Sequence, residues 1–230
     1  MTAAIITGAT GALGSSLAIN FAKKKIDLIL IGRDIKRLNK MKIDLIRKYK
    51  IKIFIIKKID SKKKLNLKKI IKDNNFLQKI DKLVLSSGVY EESSFFKLTL
   101  DKLKKVFEIN FFYNFTILKS ILPLFLKNKG GIIYCINSLA GKNSEKNQIA
   151  YSASKFALKA MINSIQFDLL EKNIKLINIF PGAFKSKITR NRKDYKKLIN
   201  TQDLSDFITK NSYDYNSMRL SEVKILRKNY

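Results

Sequence analysis

Tyr151 and Lys155 stand four residues apart in a stretch, Ala150 to Lys172, that patterns as a long helix. That spacing puts both side chains on one helix face. An ammonium beside a phenol favours the phenolate and lowers its pKa, so such a tyrosine can give a proton to a carbonyl oxygen or take one from an alcohol. In a chain with 47 Lys and Arg the pair says little by itself, although it is the only Tyr-x-x-x-Lys present. Ser138 adds weight. It lies thirteen residues before Tyr151, in Ile136-Asn137-Ser138-Leu139-Ala140-Gly141, just past a strand-like run. A loop leaving the carboxyl end of that strand carries its hydroxyl towards Tyr151, where it can hydrogen-bond a substrate oxygen. The plainer alternative for Ser138 is a helix-cap or loop serine.

These groups need a scaffold and a co-reactant, and the amino-terminal segment offers both. Ala3 to Ile6 is a short apolar run that reads as a buried strand, followed by Thr7-Gly8-Ala9-Thr10-Gly11-Ala12-Leu13-Gly14 and a helical pattern from Leu13. Gly8 allows a tight turn, Gly11 lets the backbone approach a pyrophosphate, and Gly14 lets the helix pack close to the strand. The helix N-terminus supplies unpaired N–H groups and partial positive charge. Three of the chain's 9 glycines fall in this turn, between a strand and a helix, which is the context a dinucleotide site requires. The second strand ends Leu30-Ile31-Gly32-Arg33-Asp34. An acidic residue at the strand's end would bind a ribose 2′-hydroxyl; Gly32 holds that place, and Arg33 suits a 2′-phosphate. NADP(H) is favoured. NAD(H) remains possible if Asp34 turns in, or if Arg33 is only a surface cation.

Strand-length apolar runs alternate with helical patterns along the chain. Strands are expected at Asp27 to Ile31, Ile51 to Ile56, Lys82 to Leu85, Gly131 to Ile136 and Lys175 to Phe180. Helices are expected at Ile35 to Tyr49, Leu65 to Asp73, Asp101 to Lys127 (bent before Pro123) and Ala150 to Lys172. This rhythm implies an α/β fold, a doubly wound parallel sheet in three α/β/α layers, with ligands at the carboxyl ends of the strands. With no repeat or linker, one domain over residues 1–230 is expected. The tail from about Ile188 is polar and weakly patterned, with a strand-like Val223 to Leu226. Asn110 to Leu118 is apolar nearly all round, which suggests a partner helix from a second subunit or, alternatively, deeper burial within the monomer.

Apolar residues make up 46% of the chain, ample for a core. No signal sequence is evident at the start and no apolar run approaches membrane-spanning length, so no membrane partner is expected. One cysteine, Cys135, cannot pair within the chain, and a cytoplasmic location is expected. The absence of histidine excludes every His-based mechanism, and no metal site is expected. The net charge of +29 comes from lysine spread along the chain, with abundant Ile and Asn, no Trp and 2 Pro. That is compositional drift more than a polyanion site, and no specific nucleic-acid partner is expected.

Taken in order, these motifs resemble the short-chain dehydrogenase/reductase family over about residues 2–186. Thr7 to Gly14 corresponds to the family's TGxxxGxG. Asp60, after the third strand, corresponds to the aspartate that touches adenine, and Leu85-Ser86-Ser87-Gly88 stands where the family has NNAG. Asn110 matches the asparagine of the long helix, and Ser138, Tyr151 and Lys155 match the catalytic triad. Asn178-Ile179-Phe180-Pro181-Gly182 with Ser186 matches the loop that closes on the nicotinamide. The resemblance implies a Rossmann-type oxidoreductase moving a hydride between a nicotinamide and a carbonyl or secondary alcohol. In that reading Tyr151 is the general acid/base, Lys155 lowers its pKa and holds the nicotinamide ribose, Ser138 orients the substrate, and Asn110 supports a water. It further implies that Gly8, Thr10, Gly11, Leu13, Gly14 and Arg33 contact the cofactor. So do Asp60, Ser87, Gly88, Tyr151, Lys155, Pro181, Gly182 and Ser186. Substrate walls are implied at Val89 to Phe96, at Lys142 to Asn147 and from Ala183 to Lys197, with a substrate loop and short helices over roughly 183–215. A small carbonyl or alcohol substrate and a homodimer or homotetramer are expected. The alternatives are a cofactor-binding protein with repurposed chemistry and a polyanion-binding protein.

Overall fold

A computed structural model describes residues 2–57, 65–169, 171–210 and 220–228. Among these residues seven strands form one wholly parallel sheet: β1 (Ala3–Thr7), β2 (Asp27–Gly32), β3 (Ile53–Lys57), β4 (Ile80–Leu85), β5 (Gly131–Ile136), β6 (Ile174–Pro181) and β7 (Glu222–Ile225). Their order is β3-β2-β1-β4-β5-β6-β7. The winding reverses between β1 and β4, which opens a crevice at their carboxyl ends. β1 is buried throughout, as a strand covered on both faces must be. Its side chains divide by parity. Ile5 joins the layer of Ile117, Ile121, Phe125, Leu158 and Ile162, while Ala4 and Ile6 join that of Leu13, Leu17, Phe21, Leu38 and Leu204. The expected three-layer architecture is therefore present.

The helices on the second face are α1 (Ala12–Lys23), α2 (Ile35–Tyr49) and α8 (Thr201–Lys210). Asp34 caps α2, its Oδ1 accepting the Arg37 N–H at 3.0 Å. The segment expected as one helix from Leu65 is two short ones, α3 (Leu67–Ile70) and α4 (Asn74–Gln78), because Asp73 caps the second by accepting the Phe76 N–H. α8 lies in the tail expected to be weakly patterned. Its buried face is half polar, Leu204 and Ile208 beside Ser205 and Thr209, and it docks on α1 through Asn20, whose Nδ2 donates to Ser205 Oγ and Asp206 Oδ1 at 2.8 Å each.

The long apolar stretch carries Pro123 inside a helix. α5 (Leu100–Phe107) runs through a π-helical segment at Glu108–Phe112 into α6 (Tyr113–Lys127), which contains Pro123. By length and composition 100–127 is apolar enough to cross a membrane, yet Ile117, Leu118, Ile121 and Phe125 pack on the sheet. Phe112, Phe115 and Leu126 stay substantially exposed. α7 (Ile149–Leu169) packs beside it.

Candidate active site

The β1–α1 turn forms one side of the crevice. Gly8 has φ +63°, and a Cβ there would lie 2.8 Å from the Ser86 carbonyl oxygen. A Cβ on Gly14 would run into the Gly8 carbonyl, so the helix can approach the strand only without one. Gly11 caps α1 with no side-chain bond, and its own N–H turns back to the Gly8 carbonyl at 2.8 Å. The N–H groups of Ala12, Leu13 and Gly14 donate to no acceptor among the described residues, and all three residues line the pocket. A row of unpaired donors at a helix N-terminus fits a phosphate, so the cradle suits the dinucleotide the motif implies. The middle glycine of TGxxxGxG is here Ala12, with Gly11 one place earlier.

Serines replace the amides at the end of β4. Ser86 Oγ donates to the Thr7 carbonyl at 2.5 Å, and the N–H groups of Ser86 and Ser87 donate to Thr7 Oγ1 at 3.1 and 3.3 Å. These bonds tie the tips of β1 and β4 together. Behind them Asn110, fully buried on the π-segment, clamps the next stretch. Its Oδ1 accepts the Val89 N–H (2.8 Å), and its Nδ2 donates to the Val89 carbonyl and to Ser154 Oγ (both 3.0 Å).

Ser138, Tyr151 and Lys155 converge as their spacing predicts. Ser138 leaves β5 and caps a short turn at Leu139–Gly141, its Oγ accepting the Ala140 N–H at 3.2 Å. It also bonds the Tyr151 phenol, an interaction that favours the phenolate. Burial outweighs that bond and leaves the phenol above its usual pKa. Lys155 is 4% exposed. Its Nζ donates to the Ile136 carbonyl at 3.1 Å and lies 5.9 Å from the centre of the Tyr151 ring. Burial pulls this amine down to about 8. Lys155 at this spacing is expected to lower the Tyr151 pKa; in the structure it is raised, because desolvation dominates and the amine is held on the Ile136 carbonyl.

One cavity of about 620 Å³ joins these groups. Gly11, Leu13, Gly14, Ser87 and Gly88 line it, and so do Ser138, Tyr151, Lys155, Pro181, Gly182 and Ser186. Pro181 is the last residue of β6 and not part of a loop; the Gly182 N–H donates to the Ile225 carbonyl at 2.9 Å. Four expected residues stand outside the lining. Gly8 shapes the turn, Asn110 sits behind Gly88, Thr10 faces Gly32, and Arg33 is exposed beyond Gly32. Asp60 lies outside the described residues. Of the implied walls, Val89, Tyr90 and Glu92, Glu145, and Ala183, Phe184, Ile188, Thr189 and Arg192 reach the cavity. Tyr90 meets the Tyr151 ring edge-on with centres 5.0 Å apart. Leu226 and Arg227 also line it. No motif marks them in the sequence, since the strand pattern there says nothing of which element the strand joins.

Comparison with known proteins agrees with this layout. A family profile described as short chain dehydrogenase matches residues 2–197. Over 181 residues the chain is 30% identical to the 7alpha-hydroxysteroid dehydrogenase of Escherichia coli K12, covering 78% of this chain and 70% of that one. It is 28% identical over 193 residues to mouse dehydrogenase/reductase SDR family member 7, covering 81% of this chain but only 56% of that protein's length. The alcohol dehydrogenase of Thermococcus sibiricus, solved with 5-hydroxy-NADP, superposes with a TM-score of 0.82 at 17% identity, over 98% of this chain and 96% of that one. Because the family match takes in the glycine turn, Ser138, Tyr151, Lys155 and the start of the loop beyond β6 together, the chain belongs to the short-chain dehydrogenase family and is an NAD(P)-dependent oxidoreductase of it.

Proposed function

We propose that this oxidoreductase works between a ketone and its secondary alcohol with NADP(H), Tyr151 moving the proton. The observation that carries the reading is the single cavity into which Ser138, Tyr151 and Lys155 open together with the unpaired donors of the first turn of α1. When bound, the nicotinamide supplies or accepts the hydride. Tyr151 holds a proton at its phenol oxygen across neutral pH, since burial raises its pKa, and this state suits delivery to a carbonyl oxygen. Ser138 holds the phenol and presents its own hydroxyl at the place where the substrate oxygen would sit. Lys155, with its pKa near 8, carries a proton it can return towards Tyr151. Asn110 keeps the Val89 backbone in place and so fixes the neighbouring wall.

For cofactor choice, Asp34 is engaged in capping α2, which leaves exposed Arg33 as the charged group beyond β2. That arrangement favours a 2′-phosphate, and the Thermococcus relative was solved with an NADP derivative. Titration of NADPH and NADH is expected to give NADPH the tighter binding by about ten-fold or more, the value of a charge-assisted pair. Tighter NADH would overturn the role of Arg33, and binding of neither would overturn the enzyme assignment. Tyr151→Phe is expected to lose roughly 10²- to 10⁴-fold in turnover while NADPH affinity holds. A second copy of the chain is the cover we propose for the exposed apolar faces of α6 and α7, and buried Cys135 suits a cytoplasmic setting.

A further inference from the structure

Ser138 stands on a loop while Tyr151 and Lys155 stand on a helix, so the three meet only if the loop is held against the helix. Two consecutive residues at the end of β5 grip Lys155 at both of its ends. The Ile136 carbonyl accepts from its Nζ at 3.1 Å, and Asn137 Nδ2 donates to its backbone carbonyl at 3.3 Å. The same amide reaches the other partner, since Asn137 Oδ1 accepts the Ser138 N–H at 3.0 Å. Asn137 is 3% exposed, and its own N–H donates to the Ile179 carbonyl at 2.8 Å, which fixes its backbone against β6. One buried side chain therefore joins the backbone of Ser138 to that of Lys155.

The turn that follows is shaped to the same contact. The Ser138 carbonyl accepts the Gly141 N–H at 2.9 Å, which folds the chain back towards Asn137. A Cβ on Gly141 would stand 2.7 Å from Asn137 Oδ1 and 3.0 Å from the Lys155 carbonyl oxygen, so the turn, the amide and α7 meet with no room to spare. Ser138 in turn bonds the Tyr151 phenol. A shift of the turn would carry its hydroxyl away from the place of the substrate oxygen, and small misplacements of reacting groups are costly in rate. We propose that Asn137 is a positioning residue for the reaction: its amide sets the distance between the Ser138 turn and α7 and so holds the Ser138 hydroxyl on Tyr151. Its amide oxygen and nitrogen both bond protein backbone, so its part is played through Ser138. The proposal rests on the carbonyl-oxidoreductase reading above.

The test is a double-mutant cycle read by NADPH-dependent reduction of cyclohexanone, acetophenone and phenanthrenequinone. Asn137→Ala should lower kcat by about 10- to 100-fold, the cost of a small misplacement, with NADPH affinity held within about three-fold. In a Ser138→Ala background the same substitution should cost less than about two-fold, because the hydroxyl it positions is gone. A role in stability alone would lower the melting temperature and cost the same factor in both backgrounds. A crystal structure of Asn137→Ala should show Ser138 Oγ withdrawn from the Tyr151 phenol. If Asn137→Ala does not fold, Asn137→Ser, which keeps a short polar side chain, takes its place in the cycle and in the crystal. Additive losses overturn the proposal, as does an unchanged kcat or a crystal structure with Ser138 still bonded to Tyr151; turnover by the parent then leaves the wider function standing. If the parent binds NADPH and reduces none of the three, the ketone reading fails by itself. The crystal structure then decides the tether, a withdrawn Ser138 supporting it and an unmoved one overturning it. Failure to bind NADPH overturns the enzyme assignment and the proposal with it.

Discussion

Lys155 sets catalytic use against stability within one side chain. Lys155 is 4% exposed, and among the described residues its amine has one hydrogen-bond partner, the Ile136 carbonyl. Burial pulls its pKa from 10.5 to about 8. Between those values the unfolded chain binds more protons than the folded one, so stability rises as pH climbs through this window and the full cost is present below it. Lys155→Met should therefore stabilise the fold at about pH 7, by up to about 3 kcal/mol less the loss at Ile136, while abolishing turnover. The advantage should shrink towards pH 10.5, the upper end of the window. Denaturant melts at both ends of the window check this, and a variant less stable than the parent throughout would refute it. The identities of Ser138, Tyr151 and Lys155 were legible because their spacing survives any detail of packing. The direction of the Tyr151 pKa was not, because desolvation depends on what covers the ring, and Tyr90 comes from a distant loop. The same holds for Arg227, whose place at the cavity is decided by the pairing of β7 with β6.

At the scale of elements, the strands were legible because buried parallel strands are continuous apolar runs, and α2 because one face is apolar and Asp34 caps it. The π-segment at Glu108–Phe112 was not. Its extra width serves a tertiary purpose that no local propensity encodes: it aims Asn110 inward at Val89 and Ser154. Asn110→Ala would strip the Val89 N–H and carbonyl of their partner, at a cost of roughly 2–4 kcal/mol for two backbone groups. The effect should be local as well as global. Amide exchange at Val89–Ser93 should quicken, and KM for a carbonyl substrate should rise, since Val89, Tyr90 and Glu92 line the cavity. Unchanged exchange in that stretch would mean the clamp is redundant. α8 is illegible for a different reason, since a helix that buries Ser205 and Thr209 against Asn20 has no clean apolar stripe to read.

For the whole molecule, the charge of +29 and the unmatched apolar helix faces pull in opposite directions, and salt separates them. Phe112, Phe115 and Leu126 lie along one side of the π-segment and α6, and Ile149, Phe156 and Phe167 follow one line on α7; each is at least 39% exposed. Residues three, seven and eleven apart share a helix face, so these are two stripes rather than scattered contacts. If two copies close over them, association buries apolar area but brings two strongly basic bodies together. Screening removes the repulsion and leaves the burial, so self-association should tighten as salt rises from low ionic strength. Binding to nucleic acid through the spread lysines should do the reverse, weakening steeply as counterion release loses its advantage. Sedimentation across a salt series therefore tests both readings in one experiment. Phe115→Glu should shift the parent's dimer to monomer at every salt concentration, because it places a charge in the centre of the stripe. A parent that is monomeric throughout would leave the stripes without a second copy to cover them, and salt-resistant, sequence-selective nucleic-acid binding would restore the polyanion reading that the even spread of lysine argues against.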